Sequence, residues 1–209
     1  MYRLYSYPSS ANCYKVDLLF HQLGIDVETV DLDIEAGQTH TSSFRKLNPF
    51  EMTPALESTE TGEMFVESNA ILWHFGRNTR LGPTDARSEY EILKWMFFEQ
   101  NSLEPNIGRA RRILLTPGLL QKPIAAQLGD RQRGATSAIQ LLDQTIGTRK
   151  FLVNDRYGIA DIAVFAYTHV APQGGVSLEP FTNVRRWIAN VESAPRYKVF
   201  QSSQQSSCQ

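Results

Sequence analysis

Pro8-Ser9-Ser10-Ala11-Asn12-Cys13 places two hydroxyls, an amide and a thiol between a short apolar run and a helical pattern. A hydroxyl at such a junction lies near unpaired backbone N–H groups and the positive end of a helix dipole, where an anion can be stabilised. The plainer role for Ser9 or Ser10 is the helix N-cap, which serine fills readily. Further on, Asn48-Pro49-Phe50-Glu51-Met52-Thr53-Pro54-Ala55-Leu56 sets a proline at the entrance to a strand. A cis bond there would open the Thr53 backbone to an extended peptide ligand, whereas the commoner trans bond would make Thr53-Pro54 an ordinary turn. Glu67-Ser68-Asn69-Ala70-Ile71 opens another helix with a carboxylate and a hydroxyl. Either they cap it, or Ser68 and nearby N–H groups hold a ligand carboxylate while Glu67 faces the ligand's ammonium. Gly158-Ile159-Ala160-Asp161-Ile162 differs in kind: an Asp opening an apolar helix needs partners, expected from the N–H groups of its own first turn, and is structural. In order, the first three features outline a site for a peptide that carries a thiol.

The elements that must position these residues read as two halves. Tyr2 to Tyr7 forms a first strand ending at Pro8, and Val16, Leu19, Phe20 and Leu23 give a helix face with Gly24 at its C-cap. Val30, Leu32 and Ile34 alternate with Asp31 and Asp33 as a second strand. Ser42 and Ser43 start a short helix that Asn48-Pro49 ends. Ala55 to Glu57 and Met64 to Val66 flank Thr59-Glu60-Thr61-Gly62 as a hairpin, and Ser68 caps a helix carrying Ile71, Leu72 and Phe75. After Leu81-Gly82-Pro83-Thr84 strand signals nearly vanish. A long helix from Ile92 towards Leu115 should kink or break near Pro105, and further helical faces carry Ala135 to Ile146, Ile159 to Tyr167 and Val184 to Val191. The fold class is therefore α/β plus all-α, split as residues 1–80, a linker at 81–85 and a helical domain at 86–200. The polar tail 201–209 is expected to be disordered.

The composition narrows the function classes. Of 209 residues, 42% are hydrophobic and 21 basic residues balance 22 acidic ones, giving no electrostatic reason to bind nucleic acid or an anionic membrane. The start lacks a secretory pattern and no window has the roughly 18 apolar residues of a membrane helix, so a cytoplasmic protein is expected. Cys13 and Cys208 are too few and too distant for a disulfide scaffold, and the spacing of His21, His40, His74 and His169 argues against a metal site.

Taken together, PSSANCYKV, NPFEMTPAL, ESNAILWHF, GIADIAVFAY and PFTNVRRWIANVESAP resemble a cytosolic glutathione transferase, closest to bacterial members with serine or threonine at the first helix. The resemblance spans about residues 2 to 200. It implies an N-terminal thioredoxin-like βαβ-ββα domain that binds glutathione as co-substrate, a C-terminal helical bundle, a small hydrophobic electrophile in the cleft between them, a homodimer and no metal. Within it Ser10 matches the hydroxyl that hydrogen-bonds the glutathione sulfur, with Asn12 in support and Ser9 as the neighbouring candidate. Thr53 matches the residue whose backbone pairs with the cysteinyl part, and Pro54 the family's cis proline. Glu67 and Ser68 match the pair gripping the γ-glutamyl end, while His40 and Met52 lie where some members hold the glycyl carboxylate. Gly158 stands where the family's capping box has Ser or Thr, and Ser6 rather than Tyr5 or Tyr7 aligns with the tyrosine that other members use.

A serine suffices chemically. Lowering a thiol pKa from about 8.5 to ~6.5 takes about 2.7 kcal/mol of thiolate stabilisation. A hydrogen bond to a charged partner gives roughly 1.5–3 kcal/mol, and a helix N-terminus ~0.3–1 more. Two rivals stand beside the transferase: a reductase using two bound glutathiones, and a glutathione-binding module without catalysis. Cys13 alone cannot cycle an internal disulfide and reads as a small apolar helix residue. A serine hydrolase is disfavoured because neither Ser9 nor Ser10 lies in a G-x-S-x-G elbow. Trp95, Phe98, Glu99, Ser102 and Arg111 are candidates for the electrophile pocket, with bundle core as the alternative for the two aromatics and a solvated surface for the arginine.

Overall fold

The computed structural model describes residues 1–201. Cys208 and the tail beyond Gln201 lie outside the described residues. The described residues form two compact units, Met1–Thr79 together with residues 195–201, and Arg80–Ala194.

The first unit runs β1 (Tyr2–Ser6), α1 (Ala11–Leu23), β2 (Val27–Asp31), α2 (Ser42–Leu47), β3 (Ala55–Ser58), β4 (Met64–Val66) and α3 (Ser68–Gly76). Its sheet has the order β2-β1-β3-β4, with β1 parallel to β2 and antiparallel to β3, as expected of a thioredoxin-like unit. The apolar stripe of α1 is buried at Val16, Leu19 and Phe20, and Phe20 packs edge-on against Tyr2 and Phe75. Burying one such side chain contributes about 1.5–3 kcal/mol. Gly24 ends α1 at φ 71°, the left-handed conformation that glycine adopts without penalty. The second strand lies three residues earlier than its alternation suggests. Val27–Asp31 pairs with Tyr2–Ser6, the Leu32 N–H donates to the Ser6 carbonyl, and beyond that point β1 offers no partner. The Asp33 side chain instead closes a turn by accepting from the Ala36 N–H. After Pro195 the chain returns to α1, where the Lys198 carbonyl accepts from the Tyr14 hydroxyl at 2.5 Å and Lys198 Nζ pairs with Asp17 at 2.8 Å.

The second unit is helical: α4 (Ala86–Phe98), a π-type stretch over Glu99–Gly108, α5 (Arg109–Leu115), α6 (Leu128–Ile146), α7 (Ile159–Thr168) and α8 (Thr182–Glu192). The sequence predicts a kink or break near Pro105. The chain stays helical through it by widening its turn, because proline supplies no N–H and its ring crowds the carbonyl one turn back. Side-chain amides serve carbonyls along this stretch, from Asn101 Nδ2 to Phe97 O at 2.9 Å and from Asn106 Nδ2 to Ser102 O at 2.8 Å. Residues 81–85, read from the sequence as a linker, pack within this unit: Leu81 is buried and its carbonyl accepts from the Ile159 N–H at 2.9 Å. That contact explains Gly158, because a Cβ there would stand 2.6 Å from the Leu81 oxygen. The Leu81 carbonyl occupies the place of a side-chain cap.

Asp161 is fully buried as expected, and its partners reach well beyond the helix start. The Gly158 N–H donates to Oδ2 at 3.1 Å, while Trp187 Nε1 at 2.8 Å and the Leu152 N–H at 3.0 Å donate to Oδ1. Burial pushes its pKa up to about 7 against the pull of these three donors. Asp161 thus ties α7, α8 and the loop before α7 together.

Candidate functional site

Sheet register brings the first three features to one edge. Tyr5 pairs with Ala55, and Ala55 with Val66, so the end of β1, the start of β3 and the end of β4 lie side by side. From that edge the chain continues through Ser6 to Ser10, arrives through Thr53-Pro54, and leaves through Glu67-Ser68.

Ser10 is the N-cap of α1. Its backbone is extended, its Oγ accepts from the Cys13 N–H at 3.2 Å, and its carbonyl accepts from the Tyr14 N–H at 3.0 Å. The cap uses a lone pair of the hydroxyl oxygen and not its proton, so capping and donation to an anion are compatible in one serine. Ser9 precedes it in the turn after Pro8. Cys13 is 2% exposed, and its sulfur accepts from the Tyr7 N–H at 3.4 Å. That burial fits a packing cysteine rather than an attacking one.

Asn12, the second residue of α1, reaches α3. The Ser68 hydroxyl donates to Asn12 Oδ1 at 3.1 Å, and Lys15 Nζ lies 3.4 Å from Ser68 Oγ and 3.3 Å from Asn69 Oδ1. Ser68 is not the cap the sequence suggested. Glu67 holds that position with φ 68°, and Ser68 is the first helical residue, 5% exposed. The hydroxyl proton of Ser68 is directed to Asn12. The group it leaves available at the positive end of α3 is therefore its backbone N–H, which suits an anion. Glu67 is exposed, and a non-glycine residue in the left-handed region is the kind of backbone outlier that clusters at ligand sites.

The Thr53-Pro54 bond is cis. Among the described residues no backbone hydrogen bond engages Thr53, which leaves its N–H and C=O open to an extended partner. The loop before it is built by Asn48, 1% exposed, whose Nδ2 donates to the Met52 carbonyl at 2.7 Å and whose Oδ1 accepts from the Phe50 N–H at 3.0 Å. Met52 itself points outward, 54% exposed. His40 pairs through Nδ1 with Glu51, whose other oxygen accepts from Arg45 Nε at 2.7 Å. His40 and Arg45 together hold the Glu51 carboxyl below its usual range. The bonds of His40 thus run to the Glu51 loop and not to the Asn12–Ser68 group.

In the helical unit Trp95, Glu99 and Arg111 are buried, and Phe98 is half-buried edge-on to Trp95. Arg111 is not on the solvated surface that the sequence suggested: its Nε donates to Gln173 at 2.9 Å. Two residues of the first unit escaped the sequence reading, Lys15 and Asn48. Lys15 sits three residues after Asn12 and so on its face of the helix, which was the one available signal. Asn48 read only as a helix stop.

Among the described residues no group of three or more His, Cys, Asp or Glu could hold a metal, and no helix is long and apolar enough to cross a membrane. A family model for the glutathione S-transferase N-terminal domain matches residues 1–77, and one for the C-terminal domain matches residues 118–195. The crystal structure of a glutathione S-transferase from Pseudomonas fluorescens is 35% identical, covering 96% of this chain and 99% of that one, with a TM-score of 0.91. A glutathione transferase from Burkholderia graminis with two glutathione molecules bound per subunit is 26% identical, covering 93% and 85% of the two chains, with a TM-score of 0.81. Elongation factor 1-gamma of Artemia salina is 25% identical over 94% of this chain, which spans only 45% of that relative's length. By the two domain models and by its likeness to the Pseudomonas enzyme over nearly the whole of both chains, this chain belongs to the glutathione S-transferase family.

Proposed function

We propose that the protein is a glutathione transferase in which the Ser10 hydroxyl donates to the sulfur of bound glutathione and holds it as a thiolate. The observation that carries this reading is the capping geometry of Ser10, which spends an oxygen lone pair on the Cys13 N–H and keeps the hydroxyl proton for an anion at the α1 N-terminus. The thiolate attacks a small hydrophobic electrophile, and the protein contributes orientation and anion stabilisation. Thr53, next to the cis Pro54, offers its backbone to the cysteinyl part. The N–H groups at the α3 start, with Glu67 beside them, serve the γ-glutamyl end. Ser9, His40 and Met52 flank the remainder of the peptide. A cytoplasmic homodimer is part of the same proposal, by resemblance to the family.

The test is a titration of the bound glutathione thiol, read by thiolate absorbance, in the wild type and in Ser10→Ala and Ser9→Ala. Ser10→Ala should raise the thiol pKa by about one to two units, the equivalent of about 1.4–2.7 kcal/mol, and Ser9→Ala should leave it in place. An unchanged pKa in Ser10→Ala would refute the serine mechanism. Assays with aryl halides, epoxides and a mixed glutathione disulfide then separate transferase from reductase. The second reading, a binding module without turnover, draws on the likeness to elongation factor 1-gamma. Retention on immobilised glutathione with no turnover of any of these substrates would favour it.

A further inference from the structure

We infer that Lys15 is a positioning residue for the anionic end of the bound peptide, acting through Ser68 and Asn69; the inference rests on the γ-glutamyl assignment of the α3 N-terminus proposed above. Lysine is among the residues least often fully buried, yet Lys15 has 0% relative exposure. Its ammonium comes up beneath the first turn of α3, 3.4 Å from Ser68 Oγ and 3.3 Å from Asn69 Oδ1. Ser68 in turn donates to Asn12, so Asn12 and Lys15 of α1 and Ser68 and Asn69 of α3 form one polar bridge between the two helices.

The chemistry of that bridge favours an anion. A buried ammonium is costly unless opposite charge answers it. The Ser68 hydroxyl and Asn69 amide oxygens answer part of that cost from α3, and a carboxylate on the first-turn N–H groups is attracted by the same charge. Helix dipole and ammonium act with the same sign at this point. Lys15 also fixes the Ser68 rotamer, since an oxygen that accepts from Nζ is oriented to send its proton to Asn12. The Ser68 side chain is thereby held away from the space in front of its own N–H. The bulk of the lysine stem fills the α1–α3 interface in either case, so charge and packing must be separated experimentally.

Glutathione and cysteinylglycine, which lacks the γ-glutamyl group, make that separation. Calorimetric Kd values are measured on the full chain for the wild type, Lys15→Met, Ser68→Ala and the double variant. Lys15→Met keeps the stem and removes the charge. It should weaken glutathione binding about tenfold, the low end for loss of a charge-assisted interaction, and change cysteinylglycine binding less than twofold. Because Lys15 acts through Ser68, the double variant should bind glutathione within about threefold of the weaker single variant. Glutathione binding within twofold of wild type in Lys15→Met, an equal loss for both ligands, or losses that multiply in the double variant would each overturn the inference. Should Lys15→Met fail to fold, Lys15→Gln, which is neutral but keeps a donor, carries the same expectations. A wild-type protein that binds no glutathione sinks the γ-glutamyl assignment itself before any variant is compared.

Discussion

The Ser68 hydroxyl donates to the side-chain carbonyl of Asn12 across 3.1 Å, joining residues 56 positions apart in the chain. Asn12 lies on the helix capped by Ser10 and Ser68 opens the helix after the sheet, so this bond couples the proposed sulfur end of the site to its proposed carboxylate end. Helix α1 thereby carries both the proposed thiolate donor and one support of the peptide's other terminus.

Asn12→Ala should therefore impair binding at both ends. Losing one partner of a partly buried hydrogen bond costs about 1–2 kcal/mol, and the Ser68 hydroxyl proton loses its acceptor. The expected outcome is a three- to tenfold rise in Kd for glutathione with a fall in thermal midpoint of a few degrees. Calorimetry and a melting curve check it. Unaltered affinity in a protein that melts lower would show that the bond is structural only.

Ser10 carries two loads that substitutions can separate from inert change. Ser10→Ala removes the cap on the Cys13 N–H and should lower unfolding free energy by about 1 kcal/mol, as N-cap serines do elsewhere. Ser10→Thr keeps a hydroxyl acceptor at the same position and should retain most of that stability. Urea unfolding of the two variants, without ligand, reads the cap alone. Equal midpoints for Ala and Thr would mean that Ser10 Oγ contributes nothing to α1.

The sequence disclosed these elements unevenly, for physical reasons. Local rules decided α1, the β3–β4 hairpin and the start of α7, where a glycine C-cap, a turn tetrapeptide or an apolar run acts within a few residues. What escaped depends on partners distant in sequence. Nothing within α1 marks Lys15 as buried, because α3 is what covers it, and β2 reads as starting at Val30 until the end of β1 at Ser6 limits its pairing. The cis bond before Pro54 was legible only through family resemblance, since the base rate for an isolated Thr-Pro favours trans.

Gly158 gives a prediction against family pattern. Serine or threonine at the α7 N-cap should ordinarily stabilise a helix. Here the Leu81 carbonyl lies 2.6 Å from where a Cβ would stand, and it is backbone already accepting from Ile159, so it cannot simply swing aside. Gly158→Ser should destabilise the helical unit by about 1–3 kcal/mol, the range for overpacking a well-filled site. The φ of −162° suits any residue, so the effect is one of space and not of backbone strain. Chemical denaturation of Gly158→Ser and Gly158→Ala checks this; a gain in stability for serine would show that Leu81 yields.

His169 sets an acid limit on the helical unit. Its ring stacks on Phe165 with centroids 4.2 Å apart, and Nδ1 donates to the Phe165 carbonyl at 2.8 Å. Burial, reinforced by the Arg111 charge, lowers its pKa to about 4, although the bond to the Phe165 carbonyl pulls the other way. The folded state thus holds a neutral imidazole where the unfolded chain, at about 6.5, takes up a proton. Its stabilising contribution is complete above pH 6.5 and is lost as pH falls towards 4, by up to about 3 kcal/mol for a shift of that size. Asp161 runs in the opposite sense, its contribution being present below its unfolded value and lost as pH rises through about 7. The two are separated by comparing wild type with His169→Phe, which keeps an aromatic ring and cannot titrate, while Asp161 is common to both. The difference in unfolding free energy between them should be constant from pH 7 to 6.5 and then turn steadily in favour of the variant down to pH 4. A difference that stays flat across that window would mean that His169 titrates normally in the folded protein.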